Sequence, residues 1–295
     1  YKINVTGGSV NNAVLANSSA QMTVAAGGTA NDTVVKKDAK LTAEAEARLK
    51  NLLAEGGAIL DIDVNSQLSG DIVIDKDAQL GGTYDYASIF KDHEQGSLTL
   101  RNGINNLITD NLLNEKENKD LVLASGTYNL TSEDVANATK ISGWSNLAVS
   151  DDATLKLEGD LSLKDSSGKL SIAQTGVLDL AGHSPTNYNI NGSLINDGHV
   201  TFHHVDDEAD DITSITGNYK ALANAMMTID VNPTTGESDV LNINGDVEGT
   251  TNVIIHALDT PQTTSKILFV SAPNDNTDTR NRFEIFRADN SPHVR

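Results

Sequence analysis

The sequence predicts an all-β fold, a right-handed parallel β-helix, and three observations carry that expectation. Similar segments recur at spacings of 20 and 23 residues. Inside them apolar and polar residues alternate, the period of a strand with one buried face. The composition suits a thin, turn-rich structure: 4% aromatic, 38% apolar and 23 Gly in 295 residues. A thick globular core draws on large rings, which are scarce here. Small and β-branched residues with abundant Asn, Asp, Ser and Thr favour short strands and tight turns. A strand-turn-strand unit of this length cannot bury its apolar face alone. Stacking one unit on the next does so, and each coil then adds about 4.8 Å. Leucine-rich repeats share the period, but their LxxLxLxxN signature is missing, and propeller blades need about 40 residues or more.

The elements follow in chain order. Residues 7–15 (GGSVNNAVL) align with 27–35 (GGTANDTVV), placing Val14 and Leu15 on Val34 and Val35, and Asn12 on Asp32. A second pattern reads apolar-x-apolar, three polar residues, a small residue, x, apolar. It occurs at 33–41, 72–80, 147–155 and 170–178, with a degenerate copy at 194–200. The polar triplet forms a turn. The small residue after it (Ala39, Ala78, Ala153, Gly176 or Gly198) is expected where no larger side chain fits. Residues 42–55 (TAEAEARLKNLLAE) hold strong helix formers and end in Gly56-Gly57, which predicts a short helix. Residues 83–119, with Tyr84, Tyr86, Phe90 and the run NEKENKD, read as a projecting loop or hairpin. Residues 131–139 suit a single capped turn. After about residue 215 longer alternating segments appear: 238–249, 251–258, 266–272 and 282–288. The expected organisation is a β-helical stem over 1–215 and a capping region over 216–295. A cap is needed because an uncovered solenoid end is an exposed sheet edge.

Ser238, Asp239, Leu241, Ile243, Gly245 and Gly249, followed by ILFVSA and FEIF, resemble the autochaperone region that closes the passenger of pertactin-like and AIDA-type bacterial autotransporters. The glycine-rich copies at 7–35 resemble the AIDA-type passenger repeat. The resemblance implies a β-helical passenger at the bacterial cell surface, folding from its C-terminal end and anchored by its own outer-membrane β-barrel, which lies outside this sequence. The chain, from Tyr1 to Arg295, reads as a piece of that longer protein.

The absence of cysteine excludes disulfides and thiolate metal sites, and suits a chain that passes unfolded through a pore. A net charge of −20, from 41 acidic and 21 basic residues, argues against nucleic acid and anionic membranes. No run of 18 apolar residues exists. GDSGS, GxSxG, Walker and HExxH motifs are all missing, and no cofactor is called for.

Four groups remain as candidate sites. His203, His204, Asp206, Asp207, Glu208, Asp210 and Asp211 form a dense cluster that reads as a divalent-cation site or as a solvated acidic loop. Its spacing matches no EF-hand or RTX repeat, so the loop is preferred and no metal is assigned. Asp61, Asp63, Asp71, Asp75, Asp77, Asp151 and Asp152 fall at expected turns, where Asp is favoured; a sugar-cleaving site would add aromatic and basic neighbours. Lys36, Lys37, Lys40 and Lys76 lie at equivalent turns and read as a basic stripe for a sulfated glycan or as solvated turns. Asn11, Asn12, Asn31 and Asp32 occupy equivalent positions, giving either an outer polar ladder or an internal stack. The function expected is adhesion without catalysis: attachment to a host matrix protein or glycan, self-association between cells, or both. A polysaccharide-acting β-helix enzyme and a passive stalk for a further domain are the alternatives.

Overall fold

The computed structural model describes residues 1–84, 86, 96–108, 112–113, 120–150, 152–182, 186–203, 208–259, 266–276 and 282–289. Among them every regular element is a strand. The chain divides into two compact units, Tyr1–Gly126 and Thr127–Arg295, and each is a stack of parallel coils.

In the first unit one sheet is built from Lys2–Val5, Gln21–Val24, Lys40–Ala43, Ile59–Ile62 and Gln79–Gly82. Ile3, Met22, Leu41, Leu60 and Leu80 form one column across it, at intervals of 19 or 20 residues. The other sheet runs through Gly8–Asn11, Gly28–Val35, Arg48–Ala54, Gln67–Asp75, Ser97–Arg101 and Asp120–Ala124. Val35, Ala54, Ile74, Leu100 and Leu123 form its main buried column. Each inward side chain is covered by the coils before and after it, so burial is shared between neighbours. Full burial of a Leu or Ile stabilises by about 1.5–3 kcal/mol.

The second unit has three sheets and longer coils. Leu147, Leu170, Leu194 and Tyr219 stack on one face; Leu155, Leu178, Val200, Met227 and Val253 on the second; Ile190, Ile215 and Ile243 are buried on the third. The corner residues are small because the preceding coil leaves no room for a larger side chain. A Cβ on Gly198 would lie 2.2 Å from the Ala173 carbonyl oxygen, and one on Gly176 would lie 2.7 Å from that of Val149.

The repeat alignments at 7–15 over 27–35 and at 147–155 over 170–178 coincide with the pairing register. Those at 33–41 and 72–80 lie two coils apart, with 52–60 between them. That intervening copy was hidden by the helix expected at 42–55, which is absent. Arg48–Ala54 is a strand paired on both edges, with Leu49, Leu52 and Ala54 buried. Asn51, at φ +57°, explains the misreading. Its left-handed backbone inserts a bulge between Lys50 and Leu52, so strand alternation restarts and Leu49 and Leu52 both face inward. Three-residue spacing of apolar side chains then imitates a helix. Cross-strand partners outweigh the modest helix propensity of the segment.

Within 83–119, Ser97–Arg101 is a strand of the stack, paired with Gln67–Asp75 and Asp120–Ala124, rather than part of a projection. Phe90 and the NEKENKD run lie outside the described residues, except for its final Asp120. Residues 132–138 form a non-helical turn, with Thr131 Oγ1 accepting the Glu133 N–H at 3.1 Å. Pairing is continuous through residue 215: Ile212–Ile215 bonds Val240–Ile243, and Ser193–Asn196 bonds Tyr219–Ala221. Phe283–Asp289 pairs with Thr251–Ala257, and Ile285 and Phe286 are exposed.

Candidate functional site

The asparagine positions form a polar ladder on the outside of the first unit. Asn31 Nδ2 donates to Asn11 Oδ1 at 2.9 Å, joining two coils. Beside that pair, Asn12, Asp32 and Asn51 all have φ near +56° and occupy successive coils. Asn and Asp tolerate this conformation better than other residues with a Cβ. Asn51 Nδ2 donates to Asp32 Oδ1 at 2.8 Å, and Asn51 Oδ1 accepts the Asp71 N–H at 2.9 Å. Ser97 Oγ donates to Asp71 Oδ1 at 2.8 Å. The position after Asn51 is Gly70, where a Cβ would lie 2.1 Å from Asn51 Oδ1. These side chains lie on the outer face, and the bonds they make run from coil to coil within the chain.

The lysines do not make an uninterrupted stripe. Lys37 and Lys76 share a column two coils apart, with Gly56 between them. Lys36 stands in register with Glu55 and Asp75, and the Lys40 ammonium lies 3.7 Å from the Asp61 carboxylate. Asp75 accepts from Asn102 Nδ2 at 2.6 Å and from the Asp77 N–H at 2.9 Å. Asp61 follows Leu60 in one sheet while Asp71 lies on the other, so these acids belong to different faces. Asp152 belongs to the second unit, and Asp151 lies outside the described residues.

The acidic segment behaves differently from a uniform solvated loop. His204, Asp206 and Asp207 lie outside the described residues. Glu208 and Asp210 are exposed, but Asp211 is buried and accepts the Thr186 N–H at 2.8 Å. Asp239, also buried, accepts the Asp211 N–H at 3.1 Å through Oδ1 and the Asp230 N–H at 2.7 Å through Oδ2. Burial pushes the Asp239 carboxyl up to about 8; the two N–H donors oppose the rise, while neighbouring Asp230 and Asp211 add to it. From about pH 4 to 8 the fold therefore holds a proton that the unfolded chain has released, and this contribution to stability fades as pH rises through that window.

Asp230 is the centre of a cluster of titratable groups, with His203 and His256, among the described residues. It lies on Met226–Asn232, in register with His256 of Thr251–Ala257. His203 continues the column on the preceding coil, two residues beyond Thr201, which pairs with Thr228. The Nδ1 atoms of His203 and His256 lie 2.8 and 2.9 Å from the same carboxylate oxygen, Asp230 Oδ1. The two rings tilt together with centroids 4.3 Å apart. Asp230 is buried, His256 largely so, and His203 is 39% exposed. All three ligand-capable atoms fall within 4.8 Å of one another.

No protein-family model and no curated protein matches this chain. The geometry is thus the main guide to function. Of the resemblance motif, Leu241 and Ile243 are buried in the stack, and Ser238 pairs with Val231. A Cβ on Gly245 or Gly249 would come within 2.2 or 2.1 Å of the preceding coil. These residues, like Asp239, bind coil to coil.

Sequence reasoning found His203 but missed Asp230 and His256. A usable signal existed. The spacings 203 to 230 and 230 to 256, 27 and 26 residues, match the local coil lengths set by Val200, Met227 and Val253.

Proposed function

We propose that this chain is part of a surface-displayed, autotransporter-type passenger whose lateral face binds other surfaces, giving attachment and self-association rather than catalysis. The carrying observation is the exposed ladder of Asn11, Asn31, Asp32, Asn51, Asp71 and Ser97, which repeats polar groups coil after coil on one side of the first unit. Such a face offers donors and acceptors at the coil spacing of about 4.8 Å. One added hydrogen bond contributes only about 0.5–1.5 kcal/mol, but many in register sum to useful avidity. The partner is a second copy of this chain, a host matrix protein or a host glycan. The resemblance to autotransporter passengers supports placement at the bacterial outer surface, with the protein's own barrel as anchor.

The test uses beads coated with purified protein, scored for clumping and for capture of matrix proteins and glycans across a salt series. Clumping or capture that is weakened by Asn11→Lys combined with Asn31→Lys supports the proposal. Beads that neither clump nor bind at any salt concentration would overturn it, as would unchanged binding by the folded double variant.

A further inference from the structure

We propose that His203, Asp230 and His256 form a binding site for a divalent transition-metal ion, Zn²⁺ or a borderline neighbour such as Co²⁺ or Ni²⁺. This goes beyond the adhesive reading and does not depend on it. Two imidazole nitrogens and one carboxylate oxygen are the donor set such ions prefer. The solenoid brings these donors together from residues 27 and 26 positions apart, because the intervening coils have those lengths.

The distances fit. Metal–nitrogen and metal–oxygen bonds of about 2.0–2.2 Å place adjacent ligand atoms roughly 2.8–3.6 Å apart around an octahedral or tetrahedral ion. The two nitrogen-to-oxygen separations are 2.8 and 2.9 Å and all three donor atoms lie within 4.8 Å of one another, so an ion is seated once the two rings turn to aim their Nδ1 lone pairs beside the carboxylate oxygen instead of at it. Asp230 is a prepared ligand: its side chain is buried, and its backbone N–H is tied to Asp239 Oδ2 at 2.7 Å. His203, partly exposed, gives an ion access from solvent and leaves room for water to complete the coordination.

Without an ion, each Nδ1–H donates to Asp230 Oδ1. On binding, the ion takes the two Nδ1 lone pairs and one carboxylate oxygen. Each ring proton moves from Nδ1 to Nε2 by exchange with water, the two hydrogen bonds to Asp230 Oδ1 are replaced by bonds to the ion, and no other covalent bond changes. The ion would clamp three successive coils of the second unit, coupling metal affinity to folding.

The test is titration of the full chain, stripped with EDTA and dialysed, with ZnCl₂ and separately with CoCl₂. Calorimetry, the visible Co²⁺ absorption spectrum and thermal unfolding are the readouts. The expected result is one saturable site with Kd of about 1 μM or tighter, imidazole-ligated Co²⁺ bands and a raised unfolding temperature. His203→Gln and His256→Gln should each weaken binding by on the order of tenfold or more, while His199→Gln leaves it unchanged. No saturable binding below roughly millimolar metal would overturn the proposal and leave a purely hydrogen-bonded His-Asp-His cluster. Equal binding by the parent, His203→Gln and His256→Gln would overturn it too, assigning the ions to exposed acids. His203 is the more exposed ligand, so His203→Gln, checked by far-UV circular dichroism, remains decisive where Asp230→Asn does not fold.

Discussion

Replacing Leu60 with Ala tests coil-on-coil burial directly. Leu60 is 1% exposed and sits between Leu41 and Leu80 in the central column of the first unit. The substitution removes three carbons, and at about 0.8 kcal/mol each the transfer loss is roughly 2.4 kcal/mol. The cavity adds to it, because paired backbones on both sides resist collapse. The total expected loss is about 2–5 kcal/mol. Ile3→Ala is the internal control. Ile3 occupies the same column but is half-buried, on the terminal strand of that sheet, with Met22 on one side only. Its substitution should cost about 1 kcal/mol or less, scaled to the smaller area it buries. Guanidinium unfolding followed by far-UV circular dichroism measures both. Equal losses for the two variants, or a loss below about 1 kcal/mol for Leu60→Ala, would refute the claim that each coil is stabilised by the coils above and below it.

Further outcomes follow from the same geometry. Gly198→Ala should lower stability by about 1–3 kcal/mol, because its Cβ would meet the Ala173 carbonyl at 2.2 Å; denaturant midpoints measure the loss. Asn51→Ala should destabilise more than Asn51→Gly. Both lose the bonds to Asp32 and Asp71, about 0.5–1.5 kcal/mol each, but only Ala also carries the left-handed strain of about 1–2 kcal/mol. His199 is held below its ordinary range by burial, so the unfolded chain protonates first. Stability from His199 is therefore present above about pH 6.5 and lost as pH falls through the lowered value, and His199→Gln should flatten that part of the stability-versus-pH curve.

The strand alternation and the small corner residues were legible because they are local chemistry. Val14 and Leu15 stack on Val34 and Val35, and Ala39, Ala78 and Gly176 mark crowded corners, as the spacing implied. The segment 42–55 was misread because one left-handed residue, Asn51, reset the alternation that distinguishes strand from helix. The buried acids were less legible still: Asp211 looked like one charge in a solvated run, yet its carboxylate is spent on the Thr186 N–H.

By itself the sequence determined the class of structure, because period-two burial and Gly or Ala after a polar triplet leave few ways to hide the apolar face except stacking. Only the tertiary structure decided which distant residues meet. Coil length in this fold varies, from 19 residues between Ile3 and Met22 to 32 between Val253 and Ile285, and the coils of 27 and 26 residues bring His203 and His256 to the same oxygen of Asp230.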